Sequence, residues 1–265
     1  MKKTILIMFS FLTMTLQAQQ TKTKNESETL VTKSFKVKKN TGKLQLNLGQ
    51  AQIEGYDGNE IVFSLEGKPE KEDERAKGLK AINSMGLEDN TGLGISVVDK
   101  NGTVEVNQIK NVDSENVKIL VPKGMVVSIN YQSQFGNDFS LKNLENELEI
   151  SVVFNSIKIE NCTGPATIKT LHGDVDVVFN KNMKSPISIV SIYGHVDTTL
   201  PKDVKANIKM NTSYGDILIA PELNIDFDKQ NDLTQYNNQL SGKINGGGIN
   251  VSLKADHDKI YLRAK

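Results

Sequence analysis

The sequence contains no tryptophan, a single cysteine and only three histidines among 265 residues. The lone Cys162 excludes an intramolecular disulfide. Basic and acidic residues both number 32, so the balanced charge gives no basic field for nucleic acid. The sequence also lacks an HExxH zinc motif, a G-x-S-x-G nucleophile turn and a glycine-rich phosphate loop. We therefore expect no catalytic residue, no metal site, no cofactor and no nucleic-acid partner.

Long apolar runs are absent except at the N-terminus. There two lysines precede an apolar segment over residues 4–16, which is too short to span a bilayer. We interpret residues 1–18 as a secretory signal peptide, cleaved after Ala18, and the polar residues 19–29 as a flexible linker. The mature chain is expected to have no transmembrane segment and to be exported to the periplasm, the cell surface or the medium.

What the sequence does contain is a repeated phrase. An aromatic residue or histidine precedes a glycine, a polar residue follows it, and apolar residues alternate on either side. The copies are Phe135-Gly136-Asn137, His172-Gly173-Asp174, Tyr193-Gly194-His195 and Tyr214-Gly215-Asp216, with a fifth, Phe154-Asn155-Ser156, that has asparagine in place of glycine. Such a period predicts the stacked rungs of a β-solenoid, with the apolar columns turned inward.

The register of this repeat leads to three expectations about the corners of the solenoid. Because asparagine tolerates positive φ better than other non-glycine residues, Asn155 indicates that the glycine forms a left-handed corner. The rungs are expected to stack in the order of the sequence, with an extra residue, Asp138, in the first copy. A last, degenerate copy is expected at Gly246-Gly247-Gly248.

The chain divides into two predicted parts. Residues 30–115 form an N-terminal β region, interrupted by one helix near residues 70–85 whose apolar residues recur at i, i+3 spacing. Residues 116–265 form the β-strand repeat. The predicted fold class is all-β: a β-solenoid or β-helix-like stack of short strands with one inserted helix, and the alternative is a β-sandwich.

The column after the glycine supplies the first candidate binding residues. If the rungs stack in order, His195 lies between Asp174 and Asp216, where two carboxylates could stabilise a charged imidazole or bind a cation. The alternative, which we favour, is a solvated ladder of opposite charges that keeps the rungs in register.

The column before the glycine is aromatic and supplies the second set, Tyr193 and Tyr214. These rings could form an exposed strip on which a glycan stacks. Their offset matches the inward columns, however, and favours a buried aromatic ladder. Cys162 also falls in an apolar column, so we expect it in the core rather than as a nucleophile.

Two segments resemble a known family. Residues 50–61, which read QAQIEGYDGNEI, and residues 258–263, which read DKIYLR, are similar to the opening and closing phrases of bacterial exported β-strand-repeat proteins. That family is of unknown function and is described as adhesin-like, and the end of the signal peptide resembles those of Bacteroidetes. The resemblance covers residues 30–265 and implies no catalytic residues.

The resemblance and the repeat together predict an exported, non-enzymatic module that binds or scaffolds at the cell envelope. Its partner would be a glycan or an envelope protein, since solenoids present long faces for binding. One alternative is a polysaccharide-acting enzyme that would use Asp174, Asp176 and His195. Another is a component of an envelope-sensing system.

Overall fold

The computed structural model describes residues 31–67, 74–184, 186–228 and 238–265. The predicted signal peptide (1–18) and linker (19–29) lie outside these ranges. Within them the chain is built from 21 short strands, and successive side chains of most strands alternate between buried and exposed positions. This alternation is what a sheet with one covered face requires.

The N-terminal strands are β1 (Val31–Val37), β2 (Gly42–Asn47), β3 (Ala51–Tyr56), β4 (Ile61–Gly67), β5 (Ile95–Lys100), β6 (Thr103–Gln108) and β7 (Val117–Pro122). The central strands are β8 (Met125–Tyr131), β9 (Phe139–Lys142), β10 (Leu148–Val152), β11 (Ile157–Cys162), β12 (Ala166–Thr170), β13 (Val175–Phe179), β14 (Ile187–Ser191) and β15 (Val196–Leu200). The C-terminal strands are β16 (Ala206–Thr212), β17 (Ile217–Ile219), β18 (Ile225–Phe227), β19 (Asn238–Ile244), β20 (Ile249–Ala255) and β21 (Ile260–Ala264).

The strands form two sheets that enclose one core. Sheet A has the order β1-β4-β7-β3-β9-β11-β13-β15-β21-β17, and sheet B has the order β18-β19-β16-β20-β14-β12-β10-β8-β2-β6-β5. From β6 to β17 the chain alternates between the sheets, so a strand of B and the next strand of A make one rung; β2/β3 and β20/β21 form rungs in the same way. The remaining strands, β1, β4, β5, β18 and β19, pair antiparallel at the ends of the sheets. Neighbouring rungs pair in parallel. The predicted β-solenoid is thus confirmed, and it is a two-sided one; a sandwich built of hairpins would pair consecutive strands within one sheet.

Rungs do not stack in the order of the sequence. From one end to the other they run β6/β7, β2/β3, β8/β9, β10/β11, β12/β13, β14/β15, β20/β21 and β16/β17. The rung β20/β21 is therefore inserted between β14/β15 and β16/β17, with parallel pairing on both of its sides. The expectation of sequential stacking is wrong at both ends of the solenoid.

The core lies between the sheets and is filled by the inward columns. Its largest fully buried side chains include Phe63, Phe139 and Phe179. One column of paired residues in sheet B consists of Leu148, Ala166, Ile187, Val251 and Ile208. Burying a side chain such as leucine, isoleucine or phenylalanine stabilises the fold by about 1.5–3 kcal/mol. Strands on both sides of residue 115 contribute to this single core.

The predicted helix near residues 70–85 is wrong over its described part. Only a single 3-10 turn, Glu74–Ala76, forms there, and Leu79, Ile82 and Met85 are exposed. Gly78 has φ +79°, a left-handed conformation that ends a helix. The apolar spacing did not reflect a buried face, because no neighbouring element covers it.

Two details of the repeat register also differ from expectation. In the first copy, Ile150 pairs with Ile129 and Leu148 with Val127, two residues away from the predicted columns, because the corner between β8 and β9 is longer than the others. At the other end, the corner of the last rung is formed around His257 rather than at the glycine triplet 246–248, which instead precedes β20.

Candidate functional site

The three corners at Gly173, Gly194 and Gly215 are each closed by a buried hydroxyl three residues before the glycine. Ser191 Oγ donates to the carbonyl oxygen of Gly173 on the neighbouring rung at 2.8 Å and accepts from the Gly194 amide at 3.0 Å. Thr170 and Thr212 make the corresponding two bonds at their own corners. These hydroxyls satisfy backbone groups that a turning chain cannot pair by itself, so they fix the corners.

The corner glycines allow close approach between rungs. None of Gly173, Gly194 and Gly215 has φ in the left-handed region, so the expected left-handed corner is wrong. A Cβ added to any of them would collide with a carbonyl oxygen of the neighbouring rung. At Gly194 it would also lie 2.6 Å from Asp174 Oδ1. A side chain here would force the rungs apart.

Asn155 occupies the same position without positive φ. Its neighbour toward the N-terminal end is the longer β8–β9 corner, which leaves room for a side chain. The Asn155 Nδ2 group donates to the carbonyl oxygens of Gly49 at 2.8 Å and Asn137 at 2.6 Å. The asparagine thus ties three rungs together where glycine would leave a gap.

The aromatic column is exposed and stacked rather than buried. Along the corner run Phe154, His172, Tyr193, His257 and Tyr214, with consecutive ring centroids 5.2, 4.9, 4.8 and 4.7 Å apart and ring planes within 18° of parallel. We call these five residues the corner ladder. Tyr193 is 51% and Tyr214 77% exposed, so the predicted burial is wrong. The prediction of burial assumed that side chains alternate as in a strand. It fails here because the chain leaves the strand at the corner, where this alternation no longer applies.

The geometry of the corner ladder also bears on the glycan strip. Its rings face each other, so between the two ends of the ladder the solvent meets ring edges and not ring faces. A sugar that stacks on an aromatic residue needs a free ring face. The ladder suits stabilisation of the corner better than it suits glycan stacking.

The column after the glycine brings acids and a histidine together. His195 Nδ1 lies 3.0 Å from Asp174 Oδ1, and Nε2 lies 2.9 Å from Asp176 Oδ1. On the other side of His195 lies the inserted rung, which contributes Asp258. Ligand atoms of Asp174, His195 and Asp258 all lie within 4.8 Å of one another. Tyr261 packs its ring edge-to-face against the imidazole at 5.9 Å.

Asp216 is not part of this cluster. The inserted rung lies between β15 and β17, the strand that follows Asp216. In the column after the glycine, Lys259 of the inserted rung therefore lies between Asp216 and His195. The predicted arrangement with His195 between Asp174 and Asp216 is therefore wrong in its second acid. Sequential stacking was the faulty assumption, and only the pairing of β21 reveals Asp258.

Sequence reasoning missed a concave area on the outer surface of sheet B. It is a shallow cavity of about 500 Å³ that crosses β14, β20, β16 and β19. Its outward side chains are mainly hydroxyls, amides and amines, and they include Ser188, Asn207, Lys209, Ser241, Lys243, Asn250 and Ser252. The signal in the sequence was the run of small polar residues at the exposed positions of these strands.

Cys162 is buried in the core, as expected. Burial raises the pKa of its thiol to about 12, so it is not a nucleophile at neutral pH. Within residues 31–67, 74–184, 186–228 and 238–265, we find no helix with the length and apolar character needed to cross a membrane.

The fold and its corners define a two-sided β-solenoid repeat protein. Residues 145–263 match the model of the family described as Toastrack DUF4097, which confirms the resemblance seen in the sequence. This match covers the rungs from β10/β11 to the C-terminal end, including the corner ladder and the cluster around His195. No curated protein sequence matches the chain.

The solved structures that are similar to the chain include two adhesin-like bacterial proteins. One is a candidate cell adhesion protein from Clostridium sporogenes, 15% identical, with 89% of this chain and all of that chain covered and a TM-score of 0.48. The other is a candidate adhesin from Bacteroides fragilis, also 15% identical, with coverage of 89% of this chain and 98% of that chain and a TM-score of 0.45.

Proposed function

We propose that the chain is an exported, non-enzymatic binding scaffold of the cell envelope, and that its sheet B surface binds a glycan. In this proposal the solenoid is the rigid support for the binding surface. Eight rungs spaced by about 4.8 Å give a stack about 34 Å long, enough to contact several sugar units at once. The adhesin-like names given to similar proteins support a binding role and do not identify the ligand.

The observation that carries the proposal is the concave area on sheet B. Its hydroxyl, amide and amine groups can donate hydrogen bonds to sugar hydroxyls, and Lys209 and Lys243 can also pair with a uronate or another acidic sugar. Part of this array is already ordered, since Asn207 Nδ2 donates to Asn250 Oδ1 at 3.0 Å. Ordered polar groups on strands bind with little loss of side-chain entropy.

The test is a binding titration of the purified chain with polysaccharides extracted from the cell envelope of the organism that produces the chain. Ser252 lies on the outer side of β20 within the concave area. The substitution Ser252→Trp would fill the cavity, and we expect it to lower affinity at least tenfold. Lys209→Glu should weaken binding of acidic polysaccharides more than of neutral ones.

Ser140 provides the matched control, because it has an outward position on β9 of sheet A. Ser140→Trp introduces the same side chain on the opposite surface and should leave the affinity within twofold. Equal losses from both tryptophan variants, or hydrolysis of the polysaccharide by the wild-type chain, would contradict the proposal.

A further inference from the structure

The cluster around His195 is assembled from three neighbouring rungs. Asp174 comes from the corner before β13, His195 from the corner before β15, and Asp258 from the corner of the inserted rung. Asp176 adds a fourth side chain from β13. The cluster is separate from the concave area of sheet B and does not depend on the glycan proposal.

Hydrogen-bond accounting shows that a neutral His195 cannot satisfy this arrangement by itself. A neutral imidazole has one N–H and one nitrogen lone pair, and an ionised carboxylate can only accept. Yet both ring nitrogens lie within 3.0 Å of a carboxylate oxygen. One of the two contacts therefore places a lone pair against an oxygen, unless a proton or a metal ion lies between them.

The separation of His195 Nδ1 and Asp174 Oδ1 is close to that of two ligands on one cation. Donor atoms bound to a metal at the tetrahedral angle through bonds of about 2.1 Å lie about 3.4 Å apart. His195 Nδ1 and Asp174 Oδ1 lie 3.0 Å apart, so a small opening of this pair would let both atoms bind one ion. A carboxylate oxygen of Asp258 lies within 4.8 Å of the ligand atoms of Asp174 and His195, so a movement of at most about 1.4 Å would bring it to the separation of two ligands on one ion.

The surroundings orient the imidazole as metal-binding histidines are oriented. Asp176 Oδ1 contacts Nε2 at 2.9 Å, and a carboxylate on the second ring nitrogen fixes the tautomer with the other lone pair free to bind a metal. Asp174 is held as well, because the His195 amide donates to its Oδ1 at 3.0 Å. The cluster is half-exposed, so an ion can reach it from solvent.

We propose that Asp174, His195 and Asp258 form a binding site for a divalent transition metal ion, with zinc as its representative. One nitrogen and two carboxylate oxygens suit zinc, with water completing the coordination. Calcium is disfavoured, because it takes six to eight oxygen ligands. A bound ion would cross-link the inserted rung to β12/β13 and β14/β15.

The test is isothermal titration of the metal-free purified chain with zinc chloride. We expect one saturable site per chain and an affinity at least tenfold lower in His195→Ala and in Asp258→Asn. Asp176→Asn should lower the affinity by about 10–100-fold through loss of orientation. Zinc should also raise the unfolding temperature of the wild-type chain but not that of His195→Ala.

His172→Phe is the matched control. His172 stacks between Phe154 and Tyr193 in the corner ladder, and phenylalanine would preserve that stack. This variant should bind zinc as the wild type does. Asp258→Asn supplies a second variant if His195→Ala does not fold. The absence of saturable zinc binding, undiminished binding in both site variants, or equal binding of calcium would overturn the proposal.

Discussion

Replacing Gly194 with alanine tests whether the corner glycines hold neighbouring rungs together. The new Cβ would collide with the Gly173 carbonyl oxygen and lie 2.6 Å from Asp174 Oδ1, so the rungs β12/β13 and β14/β15 would separate locally. Separation would break the bond from Ser191 Oγ to Gly173 and the bond from the His195 amide to Asp174.

The magnitude follows from two costs. Overpacking of a well-packed site costs about 1–3 kcal/mol. Leaving one buried hydrogen-bonding group without its partner costs about 1–3 kcal/mol more. Because the chain can relax in part, we expect Gly194→Ala to lower the free energy of unfolding by about 3 kcal/mol, toward the lower half of that sum.

The assay is equilibrium unfolding in urea followed by circular dichroism. Gly67→Ala is the control, since a Cβ at Gly67 meets nothing within 4 Å and its φ is not left-handed. We expect that control to stay within about 0.5 kcal/mol of the wild type. Gly194→Asn distinguishes two reasons for the glycine. Asparagine would be tolerated if the corner needed a left-handed backbone, but not if the glycine is needed for close approach of the rungs. A loss below about 0.5 kcal/mol for Gly194→Ala, or rescue by asparagine, would refute the reasoning.

Three further predictions concern single side chains. Tyr193→Leu should lower the free energy of unfolding by about 1–2 kcal/mol through loss of two ring stacks, whereas Tyr193→Phe should stay within about 0.5 kcal/mol; equal urea midpoints would contradict this. The Cys162 thiol should not react with Ellman's reagent at pH 8 until the chain is unfolded in urea, because burial raises its pKa to about 12; prompt reaction of the native chain would count against the core position. Burial opposes ionisation of Asp89, but hydrogen bonds from three backbone amides outweigh it and lower its pKa. Its stabilisation is therefore present above the unfolded pKa of about 3.9 and is lost as the pH falls through the lower folded value. The difference in unfolding free energy between wild type and Asp89→Asn should narrow from pH 7 to pH 3, and a constant difference would exclude this role.

The alternation of apolar residues was sufficient to predict the strands and their inward columns. Ala166, Ile187 and Ile208, which the alternation assigns to one inward column, do lie in one column of sheet B, with Val251 of the inserted rung between Ile187 and Ile208. The corner phrase was also readable, since its position between two alternating segments marks where the chain changes sheets. Local sequence carries this information because the alternation of side chains and the position of the corner are set within one repeat.

What the sequence does not encode locally is which rung lies beside which. Parallel pairing of β15 with β21 joins residues 196–200 to 260–264, and no local pattern distinguishes this from pairing with β17. Asp258 was missed as a neighbour of His195 for this reason. The exposure of Tyr193 was missed for a different reason. The alternation of side chains describes extended strands and does not predict burial at a corner.

The insertion of β20/β21 determines how the chain can reach its fold. The rung β16/β17 comes earlier in the sequence, yet its parallel contacts are made with β20 and β21 and not with β14 and β15. The rungs therefore cannot pair one after another in the order in which the chain is synthesised. Residues 206–219 can pair in parallel with the rest of the solenoid only through residues 249–264. Deleting the last rung would not shorten the stack by one step but would detach two rungs together. The pairs that attach this end join residues farther apart in the sequence than the pairs between β10/β11, β12/β13 and β14/β15, which raises the contact order and predicts slower folding.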